Sequence, residues 1–146
     1  MREQLEQSES QLKSLESQAE QFEQQMEAIE ESIEEIENTI QRLESRGDSE
    51  TAAALHKNLQ QKQQEKQQEA ERADQVAQQL EQIQVQLDEV KRMNEESRNE
   101  LAALASIGEN VGEAQNVVHE REGWMQRQEQ QCQQLKRRLG RLSGSG

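Results

Sequence analysis

From Leu5 onward the apolar residues of the chain recur at alternating steps of three and four: Leu12, Leu15, Ala19, Phe22, Met26, Ile29, Ile33, Ile36, Ile40 and Leu43. Written as heptads, the a positions are Leu5, Leu12, Ala19, Met26, Ile33 and Ile40, and the d positions are Ser8, Leu15, Phe22, Ile29, Ile36 and Leu43. Only Ser8 is polar. A 3.5-residue repeat held over six heptads predicts a supercoiled helix, because disordered polar sequence has no cause to keep that period. The stripe stops at Arg46-Gly47-Asp48-Ser49, where Gly47 suits a left-handed helix end and Asp48 or Ser49 caps the next helix. So short a link implies an antiparallel return.

A second series runs through Leu55, Leu59, Lys62, Lys66, Glu69, Ala73, Val76, Leu80, Ile83, Leu87, Val90, Asn94, Ser97, Leu101 and Leu104, and breaks at Gly108. Asn110 with Glu113 three residues on reads as a capping box opening a third helix. That helix carries Val111, Ala114, Val118, Arg121, Met125, Gln128, Cys132, Leu135, Leu139 and Leu142. The expected fold is therefore all-α, an elongated antiparallel three-helix coiled coil with helices over about 3–46, 50–107 and 111–141. At ~1.5 Å per residue the middle helix would be about 85 Å long, which implies a rod with a central three-helix bundle and a two-helix arm at each end. Residues 1–142 form a single coiled-coil domain on this reading. The final Ser143-Gly144-Ser145-Gly146 reads as a flexible linker of the kind introduced by engineering.

Pairing the first two series in antiparallel register sets Met26 opposite Glu69, Ile29 opposite Lys66, Ile33 opposite Lys62 and Ile36 opposite Leu59. Helix 1 is most hydrophobic where helix 2 is most polar, since residues 60–68, QQKQQEKQQ, contain nothing apolar. Lysine stems can cover part of the stripe while their ammonium groups reach Glu30, Glu34 or Glu37. Burying four isoleucines at about 1.5–3 kcal/mol each exceeds what exposed Lys–Glu pairs contribute. Ile29, Ile33, Ile36 and Ile40 are therefore the expected contact edge for a second copy or a partner helix.

Composition narrows the function classes. Of 146 residues 30% are hydrophobic and only 1% aromatic, too little apolar mass for a thick globular core. Seventeen basic against 30 acidic residues give a net charge of −13, so nucleic acid is not an expected partner. Nothing apolar approaches the ~20 residues of a bilayer span, and the first residues lack the apolar run of a secretory signal, which makes the cytoplasm the default expectation. The charge is uneven: residues 1–46 carry 13 acids and 4 bases, whereas 106–146 carry 5 acids and 6 bases. Lys136-Arg137-Arg138 and Arg141 are expected to neutralise Glu16, Glu20 and Glu23 and to complement a helix C-terminus.

Candidate chemistry is sparse. His56, His119 and Cys132 fall in three different places of the expected bundle, without metal-ligand spacing, and the lone Cys132 at a heptad position behaves as a small hydrophobe. The many glutamates lack the Glu-x-x-His pattern of a di-iron bundle and read as solvated faces. No cofactor, no metal, no small-molecule ligand and no catalysis are expected, since so thin a fold offers no water-excluding pocket. Asn94 and Arg121 occupy facing seam positions and read as a register-fixing pair. Trp124 beside Gly123 is the large aromatic of helix 3 and a candidate contact residue. The expected function is a non-enzymatic scaffold or protein–protein interaction module. The alternatives are a helical cargo or chaperone of a protein export system, whose hairpin serves as an address, and a fragment of a longer coiled-coil protein.

Overall fold

The computed structural model of the chain describes residues 1–144 and contains three α-helices: α1 (Arg2–Ser45), α2 (Ser49–Ser106) and α3 (Gly112–Leu142). Ser145 and Gly146, half of the expected linker, lie outside the described residues. The helices are rich in Glu, Gln, Leu, Ala and Arg, the chain has no proline, and β-branched Ile and Val fall mostly on the seams. All three helices pack against one another, and among the described residues there is no strand. No described helix is long and apolar enough to cross a membrane.

Both turns are built alike. Gly47 has φ +79° at the end of α1; its N–H donates to Glu44 O at 3.1 Å while Asp48 N–H donates to Leu43 O at 3.0 Å. Gly108 has φ +90° at the end of α2 and repeats the pattern: Gly108 N–H to Ala105 O at 3.1 Å, Glu109 N–H to Leu104 O at 3.1 Å. These are Schellman closures, in which a left-handed glycine folds two backbone donors back onto otherwise unpaired carbonyls. Asp48 then caps α2, its Oδ1 accepting from Thr51 N–H at 3.3 Å. The entry to α3 departs from expectation. Val111 supplies the first helical acceptor, to Gln115 N–H at 2.9 Å, so α3 begins one residue later than an Asn110–Glu113 capping box requires.

The chain forms two compact units. The first comprises Met1–Glu16 of the α1 segment and Ala77–Arg137, and it holds stretches of all three helices. Its seam residues Leu5, Leu12, Leu15, Leu80, Ile83, Leu87, Val90, Val118, Met125, Cys132 and Leu135 are all buried. The second comprises Ser17–Val76 and the chain from Arg138 onward. It is built almost wholly from α1 and α2, with α3 contributing its last turn.

Candidate interaction seam

In the first unit each buried polar seam residue donates one hydrogen bond to a backbone carbonyl. Ser8, buried, donates to Gln4 O at 2.8 Å within its own helix. Gln128 donates from Nε2 to Leu5 O at 2.8 Å, tying α3 to α1, and Asn94 donates from Nδ2 to Val118 O at 3.1 Å, tying α2 to α3. Arg121 instead turns toward Met1 Sδ. The structure thus gives Asn94 and Arg121 different partners; of the two expected register residues, only Asn94 is fully buried, at 1% exposure. Asn94 Oδ1 and Gln128 Oε1 are buried with no hydrogen-bond partner.

Cys132 donates weakly to Leu80 O at 3.7 Å, and burial pushes its thiol above the ordinary cysteine value, an effect that nearby Lys136 partly offsets. His119 belongs to this unit and is exposed, while His56 belongs to the second, where its Nε2 lies 3.4 Å from Glu44 Oε1.

Trp124 is half-buried, and its indole N–H donates to Glu9 at 2.7 Å. This contact engages the one aromatic group expected to meet a partner. Seven residues along each helix, Gln131 Nε2 donates to Glu16 at 3.1 Å. In the second unit Arg138 forks onto Glu23, with Nε 3.2 and 3.3 Å from the two carboxylate oxygens. All three pairs have the same separation of 115 residues. The Glu23–Arg138 pair is part of the expected neutralisation of α1 by the basic end of α3. The regular spacing of the acceptors and donors is the sequence signal for the other two, legible once α1 and α3 are written side by side.

The second unit is where the stripe lies. Ala19, Met26, Ala73, Val76 and Leu139 are buried, as is Ala52, which extends the α2 stripe by one step before Leu55. Ile29, Ile33 and Ile36 are only half-buried, and so are Phe22, Leu43, Leu55, Leu59 and Lys62. Ile40 is 5% exposed and so has no face left to offer, which shortens the expected four-isoleucine edge to three. Opposite the stripe, every residue from Gln63 to Gln68 is exposed. Lys66 Nζ lies 3.6 Å from Glu30 Oε1, with both side chains about half exposed. Glu69 is 6% exposed: Oε1 accepts from Arg72 at 2.8 Å, but Oε2 is buried and unpartnered. A buried carboxylate oxygen without a partner is costly, and it lies in the same unit as the partly covered isoleucines.

Other exposed large apolar residues are Val85, Leu104, Ile107 and Val117. Leu104 and Ile107 flank the Gly108 turn; Val85 stands alone on the outer face of α2, as scattered surface apolar residues ordinarily do. No protein family, curated protein or solved structure matches this chain.

Proposed function

We propose that the chain is a non-enzymatic protein–protein interaction module, and that its second unit accepts a further helix along Ile29, Ile33 and Ile36. One contrast carries this reading. Where stretches of three helices supply the seam, aliphatic residues such as Leu5, Leu12, Leu80 and Leu87 are buried; where two supply nearly all of it, three consecutive isoleucine positions stay only partly buried. The α1 heptad pattern runs through both, so the difference comes from its neighbours: along the isoleucines α3 is nearly absent and α2 is polar over residues 60–68. A helix laid on the stripe would remove the remaining apolar surface from water, at about 25 cal/mol per Å2.

The finer architecture belongs to the same reading. Residue numbers add to one total for Asn94–Val118 and Cys132–Leu80, as two helices running in opposite directions require. They differ by a constant for Trp124–Glu9 and Gln131–Glu16, as two helices running the same way require. Both relations support an antiparallel coiled coil of α2 with α3, and α1 parallel to α3.

Analytical ultracentrifugation at tens of micromolar and titration with designed amphipathic helices test the proposal. The wild-type chain is expected to associate with itself or to capture a helix, and Ile33→Asp to abolish either by burying a charge in the contact. A wild type that does neither overturns it.

A further inference from the structure

Glutamate occupies position 9 of α1 and every seventh position after it: Glu9, Glu16, Glu23, Glu30, Glu37 and Glu44. With Leu5 at a heptad a position, these are e positions, the edge beside the apolar stripe. What this edge recognises is on view in its first half. Glu9 and Glu16 accept from Trp124 and Gln131 in the first unit, and Glu23 takes the Arg138 fork in the second. The donors themselves recur every seventh residue, so the edge reads a helix of α1's own direction that offers one N–H donor per heptad.

α3 ends at Leu142, four residues past Arg138. Farther along the edge, Glu30 and Glu44 have exposed partners from α2 in Lys66 and His56, and Glu37 is exposed. Such solvent-exposed pairs contribute little and exchange readily for better ones.

Resting on the interaction reading above, we infer that the helix accepted by the second unit is a basic amphipathic helix lying parallel to α1. It sets aliphatic side chains on Ile29, Ile33 and Ile36 and presents Arg or Lys at every seventh position to Glu30, Glu37 and Glu44. A charge-assisted bond at each step repeats what Arg138 does on Glu23. A second copy is a poor fit: a second α1 would bring glutamate against glutamate on a chain already at −13, and the α3 seam residues Leu135 and Leu139 are already buried.

The test uses the full chain and two dye-labelled synthetic helices of about three heptads, alike in their aliphatic seam but carrying either Arg or Glu at the flanking positions. Fluorescence anisotropy is expected to give at least roughly tenfold tighter binding of the Arg helix at low salt, a margin that shrinks as salt is added. In the triple variant Glu30→Lys, Glu37→Lys, Glu44→Lys the preference is expected to reverse. These three side chains are exposed, and circular dichroism checks that helicity is kept; Glu37→Lys alone serves as the milder variant. A nitroxide at the N-terminal end of the Arg helix is expected to broaden NMR signals near Met26 rather than near Ile40. Equal affinity for both helices, lost in Ile33→Asp, overturns the basic-helix inference while leaving the seam reading intact. Broadening near Ile40 overturns the parallel direction. A self-associated wild type that excludes the Arg helix identifies the occupant as a second copy and overturns the inference as well. Binding of neither helix, with sedimentation unchanged by Ile33→Asp, overturns both readings.

Discussion

Asn94 carries the clearest tension between stability and specificity at the level of single residues. Its amide is 1% exposed, its Nδ2 is bonded to Val118 O, and its Oδ1 has no partner. An orphaned buried acceptor costs about 1–3 kcal/mol, and Val118 O is a helical carbonyl whose backbone bond does not depend on Asn94. Asn94→Leu is therefore expected to stabilise the chain by about 1–2 kcal/mol, read as a higher urea midpoint. Asn94→Ala is expected to destabilise it, because a void replaces the amide. Cys132 illustrates the opposite case, a seam residue whose chemistry is suppressed by its place. Burial raises its folded pKa, so folding holds the proton on sulfur: the thiol's contribution to stability is complete below the unfolded pKa and is lost as pH rises through the folded one. Alkylation by iodoacetamide at pH 8 is expected to be much slower for the native chain than in denaturant, as followed by mass spectrometry. Equal rates would mean that the thiol is open to solvent.

The elements are where sequence reading succeeds best. Alternating steps of three and four identify all three helices to within a residue or two, since burial on one side of a helix is written directly into the order of apolar and polar residues. The two glycines that end α1 and α2 are equally legible, because a left-handed helix end has few other occupants. Gly47 and Gly140 then make opposite expectations from the same substitution. At Gly47, φ +79° opposes a side chain although nothing lies within 4 Å, so Gly47→Ala is expected to cost about 1 kcal/mol. Gly140 lies inside α3 with open space around it, so Gly140→Ala is expected to add about 0.5–1 kcal/mol. Thermal unfolding of the two variants checks both signs. The candidate seam is only partly legible. The isoleucine stripe and the polar stretch expected to face it stand out, but the burial of Ile40, near the turn where Ala52 is also buried, is not written in heptad letters that treat it like Ile36. Trp124 is singled out by the sequence as a contact residue, but its partner is not: the bond to Glu9 joins residues 115 apart, a pairing that heptad letters within one helix do not encode.

For the whole molecule, the contrast between the units becomes a contrast in local stability. Protection from hydrogen exchange follows the free energy of local opening, which rises with the apolar contacts that opening must break. Residues 5–15 and 80–94 have seams closed on every side, whereas 29–36 and 60–68 offer half-buried isoleucines facing glutamine and lysine. Helix propensity is similar along α1 and α2, so it does not separate these segments; packing does. Exchange measured by mass spectrometry is thus expected to be fastest, apart from the helix ends, in 29–36 and 60–68, and slowest in 80–94 with its partners 118–135. Moderate salt is expected to slow exchange modestly throughout by screening the self-repulsion of a −13 chain, without changing this order. Saturation with the basic helix adds the decisive comparison. A helix seated on Ile29, Ile33 and Ile36 must raise protection in 29–36 and 60–68 together, because both α1 and α2 border the seam, while 80–94 stays as it is. Slowing confined to α1 would place the helix on the glutamate edge alone, held by charge and without burial of the stripe.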